Sequence, residues 1–326
     1  MTILYDSKNT IQIILRRKGS VWKQVFPFCL LTVGISIGIY YFENTYGHDS
    51  ENDEDNLHIT FDDAGHKMLA TMVAYLVVSR VNAAYCRFWE ARTLLSHALF
   101  SARQFSVNTV IFTNQDLSER ANEWRFEMKQ GMLELLSASL DALQDEDFHK
   151  DRKLKYLESA DTRKGYTASI TQISHQLQDV IVQQKDYLEN PLIIQKELKL
   201  HESISDFMTD INELAKISAT PYPFPTTQMT RILLFVWMFT LPFALVNNAE
   251  DQYSTPVLMF FITYGFFGLE FVAIELDDPF GTDPNDLEMS KLSTQIIDGI
   301  NRDITDEGSI SDSVISFHGG RFRANS

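Results

Sequence analysis

Residues 25–42 read VFPFCLLTVGISIGIYYF, with no charge anywhere in the run, close to the ~20 apolar residues a helix needs to cross the core of a bilayer. No other feature narrows the fold as much. A backbone in lipid must satisfy its own polar groups, which leaves a helix or a closed barrel. A second apolar run, residues 68–79 (MLATMVAYLVVS), is too short to cross alone and continues through Arg80 and Asn82 into YCRFWEARTLL. Its polar residues are costly against lipid and tolerable on a face turned to protein or water. Runs at 232–246 and 257–274 are joined by the polar loop NNAEDQYSTP and predict a helical hairpin. Pro27, Pro242 and Pro256 kink or start these helices, and neighbouring helices can satisfy the backbone groups they free.

The basic residues predict how these runs are oriented. Arg16, Arg17, Lys18 and Lys23 precede the first run, Arg80, Arg87 and Arg92 follow the second and Arg231 precedes the third, whereas the first loop is acidic (ENTYGHDSENDEDNLHITFDDAGH). The bias places both termini and the long middle segment on the cytosol-equivalent side. That segment, from about residue 91 to 221, recurs in apolar residues at helical spacing, as in QDLSERANEWRFEMKQGMLELLSASLDAL, YTASITQISHQLQDVIVQQ and ESISDFMTDINELAKI. The prolines of ATPYPFPTTQ end its last helix. A short amphipathic stretch follows Asn285, and the Ser-, Gly- and Asp-rich tail reads as mobile. A net charge of −16 over 326 residues argues against a general nucleic-acid binder. Cys29 and Cys86, each inside an apolar stretch, read as buried free thiols. The N-terminus has no short apolar core with a small-residue cleavage site, so no removable signal is expected.

Four constellations invite a chemical reading. GISIG, residues 34–38, has the letters of a hydrolase nucleophile elbow but lies inside a membrane run rather than at a strand–helix turn. Its Gly34 and Gly38, one turn apart, suit close approach of another helix. The histidines show no paired zinc spacing. Thr71, Tyr75 and Ser79 stand at i, i+4 and i+8 and form one moderately polar stripe beside Met72, Leu76 and Val77. That stripe is either a packed helix interface or, if copies assemble about an axis, a pore wall. ELDDPFGTDPNDLE, residues 275–288, is either a turn ending a helix or a set of hard oxygen donors of the kind Ca2+ takes, with Glu275, Asp283 and Asp286 as ligands.

Together, RRKGSVWK before the first run, SRVNAAYCRFWEAR ending the second, TPYPFPTTQ before the third and GLEFVAIELDDPFGTDPNDLE after the fourth resemble the bestrophins, including their bacterial and plant relatives. The motifs stand in that family's order and cover the chain to about residue 300. The resemblance implies an all-α membrane protein with four transmembrane helices per subunit and a helical cytosolic domain, assembled as a homopentamer around one axial pore. The implied organisation is a cytosolic segment 1–24, spans one and two with a pore neck in 25–90, the cytosolic domain 91–221, spans three and four in 222–274, an acidic clasp and helix 275–300, and a tail 301–326. It carries the neck onto Thr71, Tyr75 and Ser79, with Met72 and Leu76 as the rival register. The family's usual neck occupants are bulky Ile or Phe, so a neck of Thr, Tyr and Ser is wetter and closes less readily by dewetting. A second, cytosolic constriction is expected near Leu192 to Gln195. The family's Ca2+ clasp maps onto Glu275, Asp278, Asp283 and Asp286, with a backbone carbonyl near Thr10.

The expected function is passage of chloride, and of larger anions such as nitrate or bicarbonate, with Ca2+ stabilising or activating the channel, inorganic anions and lipid as partners and no nucleic acid. A non-conducting membrane scaffold recruiting partners through its acidic helices is the alternative. A metal hydrolase using Asp283 and Asp286 stands third, lacking a nucleophile or base.

Overall fold

The computed structural model describes residues 8–46, 63–144, 159–246, 254–281 and 283–305. The acidic loop beyond residue 46, the connection 247–253 and the tail beyond 305 lie outside the described residues. The described residues form helices α1 Thr10–Leu15, α2 Trp22–Tyr46, α3 Asp63–Thr113, α4 Glu119–Gln144, α5 Ser159–Val182, α6 Gln184–Tyr187, α7 Ile194–Ala219, α8 Phe224–Val246, α9 Ser254–Asp277 and α10 Met289–Thr305. Four stretches are long and apolar enough to cross a membrane: Trp22–Phe42, Ala64–Thr113, Phe224–Leu245 and Ser254–Asp277. The second is the surprise. The short apolar run at 68–79 belongs to a 51-residue helix with about 76 Å of rise, more than twice the hydrocarbon thickness. Beyond Gly65 its sequence has neither glycine nor proline to break it.

The chain divides into two compact units. The first comprises residues 1–90 and 220–286, the second residues 91–219 and 287–326. In the first unit α2 packs chiefly on α9, and also on α8. Its buried seam is Val25, Cys29, Thr32 and Ser36, at alternating spacings of four and three. Within lipid, association rests on packing and interhelical hydrogen bonds rather than on expulsion of water. The Thr32 and Thr263 hydroxyls accordingly pair at 2.8 Å, and Phe28 stacks on Phe267 with ring centres 4.7 Å apart. Val73 and Val77 of α3 join Leu234, Trp237, Met238 and Leu241 of α8 in the same core. Gly34 and Gly38 are not part of the seam. A Cβ on either would meet nothing within 4 Å, so the close approach expected at this pair is not made among the described residues. Cys29 is buried as expected, but Cys86 is exposed, because it falls on the outward face of α3.

The second unit is a bundle of amphipathic helices. Trp124, Met128, Met132 and Leu135 of α4 face Ile170, Ile173, Leu177 and Ile181 of α5, all buried. Helix α7 contributes Leu200, Ile204, Phe207, Ile211 and Leu214 at spacings of three and four. Gly131 lets α4 and α5 close up, since a Cβ there would come within 2.8 Å of Leu177 Cδ1. The turn between α3 and α4 is held by one cation. Arg125, 2 % exposed, donates from Nη1 to the carbonyls of Thr113 and Asp116 at 2.9 and 3.0 Å and from Nη2 to Asn122. Ser118 caps α4 by accepting the Ala121 amide at 3.2 Å. Asp116 accepts the Ser118 and Glu189 amides. Hydrogen bonding to Ser118 holds its carboxyl below the usual range.

Candidate functional site

The outward face of α3 in the first unit carries Met68, Thr71, Met72, Tyr75, Val78 and Ser79, all exposed, with Tyr75 at 72 %. Opposite lie the buried Val73, Val77 and Arg80. At about 100° per residue, Thr71 stands about 180° and Tyr75 about 140° around the helix from Arg80. Thr71, Tyr75 and Ser79 thus share one unpartnered face. Met72 shares it with them, while its companion in the rival register, Leu76, is half-buried. The face is mixed rather than uniformly polar, and residues 68–79 carry no charge. Thr71 donates its hydroxyl proton to the Lys67 carbonyl at 3.1 Å, which leaves Tyr75 and Ser79 as the hydroxyl donors of the stripe. Further along, Tyr85 and Trp89 stack nearly parallel, their rings 6.4 Å apart and both more than half exposed.

Behind this face sits a charge network that the sequence alone did not signal. Arg80 donates from Nη2 to Asp277 Oδ2 at 2.9 Å and from Nη1 to Thr227 Oγ1 at 2.7 Å. Its Nε lies 3.2 Å from Glu270 Oε2. Glu270 Oε1 in turn accepts Arg231 Nε at 2.8 Å, and the guanidinium of Arg80 lies over the Tyr222 ring. Glu270 is nearly as buried as Arg80. Of its hydrogen-bond partners, Thr227 stands 147 residues from Arg80 and Asp277 stands 197.

The acidic turn leaves the end of α9. Glu275 is held by amides on both oxygens: Gln24 Nε2 donates to Oε1 at 3.2 Å and Asn285 Nδ2 to Oε2 at 3.0 Å. Asn285 Nδ2 also reaches the Gly19 carbonyl at 3.1 Å, tying the turn to the chain just before α2. Gly19 itself takes a φ of 73°, a backbone conformation that favours glycine. Asp286 is 3 % exposed. Its Oδ2 accepts the Asp283 amide at 2.6 Å and lies where a Cβ on Gly281 would come within 2.7 Å, so glycine is needed at 281. Burial pushes the Asp286 carboxyl up to about 7, with repulsion from Asp283, Asp278 and Glu275 adding to it and the Asp283 amide opposing.

The candidate ligands therefore feel one another without forming a cage. Among the described residues no three His, Cys, Asp or Glu side chains converge as a metal-holding group. The donors are of the hard oxygen type that suits Ca2+, and the crowding of Asp286 is of the sign a cation relieves. In the described geometry the amides of Gln24, Asn285 and Asp283 donate hydrogen bonds to these carboxylates. Thr10 opens α1 and is exposed, and no described hydrogen bond joins it to the turn. In the second unit Leu192 is buried and donates its amide to Gln184 Oε1 at 2.7 Å, while Gln195 is exposed. The exposed apolar residues of this segment are Ile193 and Ile194, the latter at 81 %.

Comparison with known proteins agrees with this architecture. A protein of Ralstonia nicotianae named as a voltage-dependent anion channel-forming protein is 24 % identical over 314 residues, covering 92 % of this chain and 94 % of its own. An Escherichia coli K12 protein of the same description is 26 % identical over 295 residues, covering 85 % and 86 %. Crystal structures of point mutants of a Klebsiella pneumoniae bestrophin homolog superpose with TM-scores of 0.69 and 0.68 at 21 % and 23 % identity, spanning 88 % and 86 % of this chain and 100 % and 99 % of theirs. At that identity the structural likeness speaks for the fold. The family model described as bacterial/fungal bestrophin protein matches residues 2–302. Its match takes in the α3 stripe, the charge network and the acidic turn alike, and the chain belongs to that family of multi-pass membrane proteins.

Proposed function

We propose that the chain is an anion-selective channel with one pore along the axis of a homopentamer, passing chloride and larger anions such as nitrate or bicarbonate. The observation that carries this reading is the unpartnered face of α3. A span that leaves Thr71, Tyr75 and Ser79 exposed beside Met68 and Met72 needs either copies of itself or water against that face, since hydroxyls facing lipid are costly. Five such faces around an axis form rings of side chains. The hydroxyls of Tyr75 and Ser79 donate to a passing anion and replace part of its lost hydration. No carboxylate stands in residues 68–79, so the wall itself does not repel an anion despite the acidic chain. The names of the Ralstonia and Escherichia relatives point the same way, and the family is one of channels rather than enzymes.

In this reading both termini lie on the cytosol-equivalent side, as the flanking basic residues favour. The cytosolic constriction near residues 192–195 is formed by Ile194 rather than Leu192, because an apolar side chain that narrows a pore must be free of its own subunit's core. The acidic turn binds Ca2+ through Glu275, Asp278, Asp283 and Asp286. This part of the proposal draws on the donor chemistry and on the mutual repulsion at Asp286. A Ca2+ ion held by these carboxylates would offset their mutual repulsion at Asp286.

Purified protein in anion-loaded vesicles tests the channel directly. Chloride flux that exceeds cation flux is expected, falling when Tyr75 and Ser79 are both replaced by Leu. Absence of flux overturns the proposal and leaves a non-conducting scaffold, and equal passage of potassium overturns its anion selectivity. A rise in melting temperature with micromolar to millimolar Ca2+, lost in Asp283→Asn, is expected of the turn.

A further inference from the structure

We propose that Arg80, with Glu270, Asp277 and Thr227, is a rotational anchor that sets which side chains of α3 form the pore wall. This rests on the reading of that helix as pore-lining. The four residues are positioning residues, since none of them stands on the exposed stripe.

A helix that packs through small apolar side chains can turn about its axis at little cost, because Val73 and Val77 present much the same surface after a small rotation. The face of α3 that matters for conduction is mixed: Thr71, Met72, Tyr75 and Ser79 are exposed while Leu76, one residue away, is half-buried. One residue corresponds to about 100° of rotation, so a turn of a fraction of that withdraws part of a phenol and brings in part of an isobutyl group at the wall. Something must fix the angle. Arg80 does so by geometry: its planar fork addresses three groups at once, Glu270 and Asp277 on α9 and Thr227 on α8, each within 3.2 Å. Five donors in a rigid plane cannot follow a rotating helix and keep all three partners.

The placement of charge supports the same conclusion. Arg80 is 2 % exposed and the Glu270 side chain 5 %, and burying such a pair offers little net stability over a packed apolar pair while strongly penalising any geometry that separates it. Arg231, whose side chain is 43 % exposed, takes the second oxygen of Glu270 and prevents that carboxylate from following Arg80. The network therefore restricts angle more than it holds the helices together. It also stands within one residue of Ser79 and five of Tyr75, so little helix lies between anchor and wall to absorb a twist.

The experiment uses the full chain in detergent and in vesicles, with Cys86→Ser removing the exposed native thiol. Tyr75→Cys and Leu76→Cys are introduced separately, and their reaction rates with a water-soluble methanethiosulfonate are measured in the wild-type network, in Glu270→Gln and in Arg80→Lys. The anchor predicts that both changes lower the rate at 75 and raise it at 76, altering the ratio by about threefold or more, together with a changed nitrate-to-chloride permeability ratio. Asp277→Asn, a milder change at a side chain 25 % exposed, should shift the ratio in the same direction and remains usable if the other variants fail to assemble. A labelling ratio unchanged in Glu270→Gln and Asp277→Asn, with only a lower melting temperature, overturns the anchor. Wild-type protein without flux overturns the channel reading instead, and the labelling ratio still judges the anchor in that case.

Discussion

Replacing Asp286 by Asn should make the protein more stable, and by an amount that depends on pH. The carboxyl is 3 % exposed, faces Asp278, Asp283 and Glu275, and titrates near 7 rather than at its ordinary 3.8. A carboxyl raised on folding stabilises the native state when protonated, so its contribution is intact below about 4 and is lost as pH climbs through about 7. Above both values the full displacement corresponds to a cost of about 4 kcal/mol. By linkage about 1.5 kcal/mol of that is already present at pH 5, so the penalty grows by about 2.5 kcal/mol between pH 5 and pH 8. Asn keeps the shape and an oxygen to accept the Asp283 amide, and it carries no charge. In chelator the melting temperature of Asp286→Asn, followed by tryptophan fluorescence, should exceed that of the wild type by a margin that widens by about 5 °C over that pH range, at about 2 °C per kcal/mol. Added Ca2+ should narrow the margin at pH 8 by stabilising only the wild type. A margin flat with pH, or a less stable variant at pH 8 in chelator, would refute the argument that charge crowding at this turn destabilises the metal-free protein.

Three other changes probe the packing. Arg125→Met removes the donor to the Thr113 and Asp116 carbonyls at the α3–α4 turn and should cost about 3 kcal/mol, read as a lower unfolding midpoint. Gly131→Ala forces Leu177 to move from a contact of 2.8 Å; the overpacking, about 1–3 kcal/mol, should exceed the helix-propensity gain of about 1 kcal/mol and lower the melting temperature slightly. Thr32→Val breaks the hydroxyl pair with Thr263 and should cost about 0.6–1 kcal/mol in a detergent unfolding titration.

Much of the membrane part was legible because its signal is local. Uncharged runs near 25–42 and 232–246, and an apolar run at 257–274 broken only by Glu270, announce α2, α8 and α9, and their charged flanks mark where each helix meets water. The full length of α3 was harder to read, since Arg80, Asn82 and Arg87 interrupt the apolar run that a span is recognised by. Arg80 is tolerated there because Glu270 and Asp277 meet it, and nothing local to Arg80 names partners nearly two hundred residues away. That Thr71, Tyr75 and Ser79 share a stripe follows from helical spacing alone, whereas its exposure, the admission of Met72 and the half-burial of Leu76 depend on how the other helices pack behind it. Gly34 and Gly38 looked like a packing seam, but the seam runs through Val25, Cys29, Thr32 and Ser36, where one small thiol and two hydroxyls do the same work. At the acidic turn the carboxylates were evident, and the amides of Gln24 and Asn285 that answer Glu275 were not. Near the expected constriction, nothing in the sequence signals that Gln184 accepts the Leu192 amide.

An unbroken helix also has a phase. From Met68 to Arg80 no glycine, proline or bulge can take up a change in length, so every residue added or removed there turns the part of the exposed face N-terminal to it against Arg80 by about 100°. In the proposed pore, a substitution in this stretch alters one ring of side chains. An insertion or deletion turns every wall residue N-terminal to it at once, and a seven-residue insertion, which returns the helix to within about 20° of its starting phase, should be far better tolerated than a single residue.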